Sequence, residues 1–374
     1  MQSFRALLIL LFISLSTFKT FAQIPLSHKA EISVLTCGPG NELYSVFGHT
    51  AIRIFDPTKN INTVYNFGTF DFDTPNFYPK FVKGDLQYFV SVASYRDFIY
   101  EYQYYGRDVY EQTLNLTQYQ KQQIADELNG ILFSDKKYYT YKFINRNCTT
   151  MVADIVNKQV TISLENSDRG KTYREIIYSY LQDNHFYENL GINLLFGYKT
   201  DITSEKLFLP KELMEGIGNT KTKSGKSLAK VTTTVVEKTE QTTGFSFINS
   251  FYSYILLTLA LLILTIKKAG YNTYLVFAGL MGLLFCFVSL YSSHNELLLN
   301  YNILLFNPLF TIIAIISPKN KKTFLKRLIY ISFILFVVYL ALTITKVHIW
   351  LMLPLLLVSS VALIRKMKAI PTTN

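Results

Sequence analysis

The last third of the sequence sets the strongest limit on how this chain folds, because residues 245–364 form almost continuous apolar runs. The apolar stretches lie at about 247–266, 274–291, 297–316, 328–345 and 347–364. Each is close to the roughly 20 residues with which a helix crosses a bilayer. The connections are very short, so neighbouring helices must run antiparallel. Residues 247–364 are therefore predicted to form an all-α bundle of five transmembrane helices.

Basic residues in the connections indicate how this bundle is oriented. One side carries most of them, in two loops and the tail: Lys267, Lys268, Lys319, Lys321, Lys322, Lys326, Arg327, Arg365, Lys366 and Lys368. The loops on the other side carry only Lys346. Lys and Arg favour the cytoplasmic side of a membrane, so the tail at 365–374 is predicted to be cytoplasmic and the residues before the bundle to lie outside. Topology then accounts for most of the net charge of +11, and nucleic acid is not expected as a partner.

Residues 1–22 have the pattern of an export signal. Arg5 precedes an apolar stretch at Ala6–Leu15, and the small residues Thr20 and Ala22 suit cleavage after Ala22. This stretch is too short to span a bilayer comfortably, and an uncleaved anchor is the alternative. Under either interpretation residues 23–217, whose composition is that of a globular protein, form an exported domain.

A polar segment separates the exported domain from the bundle. Residues 218–246 are rich in Thr, Lys and Gly, which is typical of a poorly packed linker. Within it, Val231–Lys238 is suited to one short strand. The segment is therefore predicted to be a tether.

Two residues of the exported domain fit the roles of a nucleophile and its base. Cys148 follows the N-cap candidate Asn147, at the start of a helix predicted from apolar residues at 148, 151, 152, 155 and 156. A helix N-terminus favours a thiolate, because its free N–H groups and dipole stabilise negative charge. His49 begins a strand whose hairpin partner, at residues 61–67, would bring Asn66 close to it.

A cysteine at a helix start and a histidine on a sheet form the arrangement of papain-type chemistry. Here the histidine precedes the cysteine by about 100 residues, the reverse of the papain order, and the geometry matters more than the order. The predicted fold is therefore α+β, a circularly permuted papain-like domain followed by the bundle. Asn66 is the predicted third member that orients the imidazole, and Asp71 is the alternative.

Other interpretations of these residues stay open. The alternative to a catalytic pair is that Cys148 is a small buried hydrophobic residue and that His49 is a surface or core histidine with a structural role. Cys37 is exported together with Cys148, so the two could also form a disulfide. The histidines and cysteines lack metal-ligand spacing, and no phosphate-binding glycine loop is present, so no metal or cofactor is expected.

The third apolar stretch begins with a polar group at the outer side of the membrane. It contains His294, Glu296, Asn300 and Asn302. Polar side chains at that depth are costly unless they are paired or hydrated. Two interpretations follow: the group caps the helix at the interface, or it binds substrate.

Several motifs of the exported domain resemble those of the bacterial Lnb-type lipoprotein N-acyltransferases. They are the runs 35–53, 65–72 and 81–86, together with Asn147-Cys148-Thr149-Thr150. The resemblance covers about residues 32–160 and then the membrane region, including 300–302 and 307–309. The long runs are specific to the family, whereas the Asn-Cys pair alone is not.

The resemblance implies a permuted papain-like domain on the outer face of a bacterial inner membrane, with His49 as base and Cys148 as nucleophile. It implies transfer of an acyl chain from a phospholipid, through a thioester, to the α-amino group of a diacylated lipoprotein. A more distant resemblance to lecithin:retinol acyltransferase-type enzymes supports the same order of residues. Two rival functions remain: a membrane-anchored Cys-His hydrolase (phospholipase or cell-wall peptidase), and a non-catalytic sensor or lipoprotein-binding module.

Overall fold

The structure is a computed structural model that describes residues 25–182, 185–239, 246–317 and 321–371. The predicted export signal at 1–22 and the basic residue Lys319 lie outside these ranges.

Seven strands of the described residues form one antiparallel sheet in the order β6-β4-β3-β2-β1-β5-β7. They are β1 (Glu31–Cys37), β2 (His49–Asp56), β3 (Ile61–Thr69), β4 (Gln87–Ser94), β5 (Val109–Leu114), β6 (Tyr138–Thr140) and β7 (Ala229–Val236). Side chains alternate along β2, because Ile52 and Ile54 pack in one apolar cluster and Ala51 packs in another on the opposite face. The central strands β1, β2 and β5 are therefore buried on both faces.

The described part of the exported domain also contains seven α-helices. They are α1 (Phe77–Lys83), α2 (Tyr95–Tyr104), α3 (Gln118–Leu132), α4 (Cys148–Asn157), α5 (Tyr173–Leu181), α6 (Phe186–Leu195) and α7 (Pro210–Asn219). Helix α4 packs against β2 and β3 on the face that Ile52 occupies. Helix α2 covers the other face through Phe98 and Tyr102. A helix that starts with Cys148 is thus held against the strands that carry His49 and Asn66.

The predicted linker at 218–246 is too long. Strand β7 lies inside it and pairs with β5 at the edge of the sheet. Most of its side chains are exposed, and a Thr-rich sequence suits such an edge because β-branched residues fit a half-buried pleated surface. The sheet domain therefore extends to Val236, within the range in which a short strand was predicted.

The C-terminal segment is helical, as the apolar runs predicted. Its described helices are α8 (Phe251–Leu264), α9 (Lys268–Tyr291), α10 (Asn302–Leu305), α11 (Leu309–Ile315), α12 (Lys322–Thr343) and α13 (Ile349–Lys368). Four stretches are long and apolar enough to cross a membrane: Lys268–Tyr291, Asn295–Ile315, Lys322–Thr343 and Ile349–Lys368. The first predicted span corresponds to α8, which has only 14 residues. Four candidate spans are thus present, and the count of five stays a prediction.

The third predicted span is not a continuous helix. It consists of a 3-10 turn at Asn295–Leu297 followed by α10 and α11. The helix is interrupted before Pro308, where the Asn307 side chain accepts a hydrogen bond from the Leu309 N–H at 2.9 Å. Helix α9 approaches this break closely, because a Cβ atom on Gly282 would lie 1.5 Å from the Phe306 carbonyl oxygen. Irregular backbone at membrane depth is tolerated where the surrounding protein satisfies its polar groups.

Candidate active site

The candidate active site lies where α4 begins beside the ends of β2 and β3. His49 is the first residue of β2, and Asn66 lies on the adjacent strand, where its neighbour across the ladder is Ala51. Nε2 of His49 and Oδ1 of Asn66 are 3.2 Å apart, within hydrogen-bond distance. Cys148, the first residue of α4, makes a side-chain hydrogen bond with His49. The structure thus brings together all three residues that the sequence predicted as a catalytic set.

The start of α4 has the cap that the sequence predicted. Asn147 accepts a hydrogen bond from the Thr150 N–H at 2.9 Å, and the Thr150 hydroxyl accepts one from the Asn147 N–H at 2.9 Å. This capping box satisfies donors that a helix end leaves free. It also holds the backbone at Cys148, from which the side chain projects.

The charges of His49 and Cys148 depend on each other. Burial acts to raise the pKa of Cys148, but the imidazolium charge, its hydrogen bond and the Thr50 N–H outweigh burial, so this pKa is lowered. Burial acts to lower the pKa of His49, but the thiolate charge and the hydrogen bonds that the ring donates to Cys148 and Asn66 outweigh it, so that pKa is raised. Both shifts favour a thiolate–imidazolium pair. The two side chains are half-buried, which leaves them open to a substrate.

Three residues that the sequence did not single out support this pair. The hydroxyls of Thr50 and Thr149 are 3.0 Å apart and fully buried, so they tie the first turn of α4 to β2. Gly68 has φ +97°, and a Cβ atom there would lie 3.6 Å from Cβ of Cys148. Only the contacts between these strands and α4 show that these residues belong to the site. Their residue types alone give no such signal, because Thr and Gly are common throughout protein sequences.

The alternative orienting residue, Asp71, is occupied elsewhere. Its carboxylate accepts a hydrogen bond from the Asp73 N–H at 2.9 Å, and its side chain lies on an exposed turn. Asn66 is therefore the predicted third member that the structure places against His49.

Cys37 lies next to the candidate site as a free thiol. It is the ladder partner of His49 and is only 1% exposed. Burial raises its pKa strongly, and Tyr102 hydrogen-bonds its side chain. Cys148 is also a free thiol, so the two cysteines are not joined in this structure.

Two of the predicted substrate-binding residues, His294 and Glu296, join the two parts of the protein. A ring nitrogen of His294 lies 3.0 Å from the Phe81 carbonyl oxygen at the end of α1. The Glu296 carboxylate accepts a hydrogen bond from the Ile144 N–H at 2.9 Å and is 2% exposed. Both contacts reach from the membrane segment to the sheet domain.

The other two, Asn300 and Asn302, bind the end of α6. The Asn300 amide donates to the Leu194 carbonyl at 2.8 Å, and the Asn302 amide donates to the same carbonyl at 3.1 Å. Tyr339 of α12 donates its hydroxyl to the Asn302 side chain at 2.9 Å. The structure therefore places all four residues at the interface between the domains, and their binding of substrate stays a prediction.

The sequence analysis did not identify a buried ion pair that lies at the same interface. Nε of Arg174 and Oδ1 of Asp201 are 2.9 Å apart, and both side chains are 2% exposed. The hydroxyl of Tyr301, from the membrane segment, hydrogen-bonds the Asp201 carboxylate and accepts from Arg174 at 3.2 Å. Removing one partner of such a buried pair costs about 3–5 kcal/mol. Through Tyr301, this pair connects the exported domain to the membrane segment.

The arrangement can supply a nucleophile and a base for acyl transfer. Cys148 is a thiol of lowered pKa at a helix N-terminus, and His49 can donate or accept a proton beside it. In the described ranges, no group of three or more His, Cys, Asp or Glu residues is placed to hold a metal ion.

Two family models match the chain in succession. The Lnb N-terminal periplasmic domain matches residues 18–179, and the Lnb transmembrane domain matches residues 238–371. No curated protein matches the chain, and no solved structure matches it. The two matches follow the order of the sheet domain and the helical segment, and His49, Asn66 and Cys148 all lie within the first.

Proposed function

The chain belongs to the Lnb family, and from this premise we propose that it is a lipoprotein N-acyltransferase. The family's domains indicate a membrane-associated, lipoprotein-modifying enzyme with a periplasmic N-terminal domain. The observation that carries the finer proposal is the hydrogen-bonded pair of Cys148 and His49 at the start of α4. Such a pair forms a thioester with an acyl donor and releases the acyl group to an amine.

In the first step, the Cys148 thiolate attacks the carbonyl carbon of an acyl ester in a membrane phospholipid. A C–S bond forms and the ester C–O bond breaks. The imidazolium of His49 gives its proton to the departing oxygen, so a lysophospholipid alcohol leaves. The acyl group is now a thioester on Cys148, and His49 is neutral.

In the second step, the α-amino group of a diacylglyceryl-cysteine attacks the thioester. His49 takes the amine proton, a C–N amide bond forms, and the C–S bond breaks to return the thiolate. The products are a triacylated lipoprotein and the original ion pair. In both steps the backbone N–H groups at the start of α4 are suited to stabilise the tetrahedral oxyanion.

Asn66 has a positioning role in this proposal. Its Oδ1 lies 3.2 Å from Nε2 of His49, which leaves Nδ1 of the ring to face Cys148. A fixed ring orientation keeps the proton where each step requires it.

The membrane segment supports the same function. Both proposed substrates are anchored in lipid, and the exported domain is held to the outer ends of the helices through Ser293 and Lys142, whose Nζ and Oγ atoms are 2.6 Å apart. An active site fixed above the bilayer meets both substrates without lifting either into water. We propose that the protein lies in the bacterial inner membrane, with the site in the periplasm and the C-terminus in the cytoplasm.

Intact mass spectrometry of the purified full chain tests this function. After incubation with phospholipid, we expect a long-chain acyl adduct on Cys148 that disappears when a diacylated lipopeptide is added, together with N-acylated peptide. Cys148→Ser and His49→Ala are each expected to abolish N-acylation, because nucleophile and base act as a unit. The control Cys286→Ala, in α9, is expected to retain it.

Two results would contradict the proposal. N-acylation by Cys148→Ser at the parent rate would exclude the thioester mechanism. Release of free fatty acid at a rate that the lipopeptide does not change would indicate the alternative, a membrane-anchored Cys-His hydrolase.

A further inference from the structure

The exported domain exposes several large apolar side chains around α1. Phe72 is 60% exposed, Tyr78 73% and Phe81 44%. On the nearby loop before β2, Tyr44 is 68% exposed and its ring contacts Phe70. Contiguous apolar surface of this kind in an exported domain marks a place of interaction rather than a face for water.

Helix α1 is fixed at the level where α9 leaves the membrane. Ser292 and Ser293, which directly follow the last residue of α9, bind the carbonyls of Val82 and Lys83 at 2.7 and 2.9 Å. The exposed aromatic residues therefore lie beside the outer end of a candidate span, where aromatic side chains are favoured.

A row of aromatic rings leads from α1 toward the nucleophile. Ring centroids are 5.9 Å apart between Phe77 and Phe70, 5.1 Å between Phe70 and Tyr88, and 4.4 Å between Tyr88 and Tyr141. These four residues and Cys148 belong to one apolar cluster. We call Phe77, Phe70, Tyr88 and Tyr141 the aromatic row.

The inner end of the aromatic row lies within electrostatic reach of the thiolate. Burial raises the pKa of Tyr88 to about 12, and the charge on Cys148 contributes to the same shift. Burial also raises the pKa of Tyr141, again with a contribution from Cys148. The row thus connects the membrane level with the site of the proposed thioester.

We propose that the aromatic row binds the long acyl chain of the phospholipid donor, with its carbonyl carbon at Cys148 and its methyl end toward α1 and the bilayer. This inference rests on the proposed function. Every methylene group that leaves the bilayer for water costs free energy, and an apolar path from the membrane to the thiol avoids that cost. The occupant is the donor chain rather than an acceptor chain, because only the donor chain becomes bonded to Cys148.

The test compares two acyl donors on the full chain in phospholipid nanodiscs. One donor is a long-chain phospholipid, and the other is a water-soluble acetyl thioester that has no chain to bind. Phe70→Ala is expected to slow loading of Cys148 by the phospholipid about tenfold, the order that one buried phenyl ring contributes to binding. Acetyl loading is expected to stay unchanged, which also shows that the variant is folded.

Tyr100→Ala is the matched control. Tyr100 lies on α2 and is 67% exposed, and its replacement is expected to leave both loading rates unchanged. The membrane helices keep every variant in the bilayer, so a loading defect does not reflect lost attachment.

Two outcomes would overturn the inference: unchanged phospholipid loading in Phe70→Ala, and an equal loss of loading with both donors. If loading is unchanged but discharge to the lipopeptide is slower, the row belongs to the acceptor instead. A parent protein that forms no acyl adduct from phospholipid would instead overturn the proposed function itself.

Discussion

At the residue scale, one hydrogen bond to the His49 ring bears on the charge of the candidate catalytic pair. Asn66 lies 3.2 Å from Nε2 of His49, and this contact contributes to the raised pKa of the imidazole. Asn66 therefore favours the charged form of His49, and through it the thiolate form of Cys148. Asn66 came within reach of His49 through the pairing of β2 with β3, a local hairpin.

Asn66→Ala is predicted to reduce N-acylation by about 10- to 100-fold, because an orienting partner contributes less than the base itself. Without Asn66 the pKa of His49 falls and the pKa of Cys148 rises toward that of an ordinary thiol. The pH at which iodoacetamide alkylates Cys148 at half its maximal rate should therefore shift upward. Asn62→Ala on the same strand, where Asn62 binds Arg53, is expected to leave this profile unchanged. Identical profiles for Asn66→Ala and the parent would remove Asn66 from the site.

At the element scale, the interrupted third span is held in place by polar side chains that hydrogen-bond the neighbouring elements. Asn302 is fully buried and donates to the carbonyls of Asn193 and Leu194, while Tyr339 donates to it. These bonds hold α6 of the sheet domain, α10 and α12 together. Asn302 was also predicted to bind substrate. A role in domain docking predicts that its loss lowers stability, whereas a role in substrate binding predicts that its loss lowers turnover.

Asn302→Leu is predicted to lower the thermal unfolding temperature in detergent, because each buried polar group left without a partner costs about 1–3 kcal/mol. Asn295→Leu, at an exposed position of the same segment, is the control and is expected to unfold near the parent temperature. Reduced turnover per folded molecule with unchanged unfolding would favour substrate binding over domain docking.

At the scale of the whole molecule, the contacts between domains bear on the number of membrane crossings. Residues 292–294, at the end of α9, bind the exported domain. Helix α9 has 24 residues and is about 36 Å long, so we expect its first residue, Lys268, on the far side of the bilayer. The chain reaches Lys268 from the exported domain through α8. We therefore expect α8 to cross despite its length, which makes five crossings and a cytoplasmic tail.

Labelling of single cysteines tests this topology in a background whose native cysteines are replaced by alanine. A membrane-impermeant maleimide is expected to label Ser224→Cys, on an exposed turn before β7, in intact spheroplasts. Lys368→Cys, in the tail, should react only after permeabilisation. Labelling of Lys368→Cys in intact spheroplasts would mean an even number of crossings and would exclude a spanning α8.

The sequence by itself determined the features that depend on neighbouring residues. Apolar length predicted the membrane segment, helical periodicity and an N-cap predicted that Cys148 begins a helix, and two neighbouring strand segments predicted the hairpin of His49 and Asn66. Each depends on residues a few positions apart, so the chain encodes it locally. The family resemblance also came from continuous motifs.

Only the tertiary structure decided what joins distant segments. It placed β7 in the sheet rather than in a linker, paired Arg174 with Asp201 and Tyr301, and assigned His294 and Asn302 to the domain interface. The aromatic row likewise combines residues from several elements. These contacts join residues up to 213 positions apart, and packing selects among many possible partners at such separations. A local sequence pattern cannot predict these partners, because they depend on where whole elements meet in space.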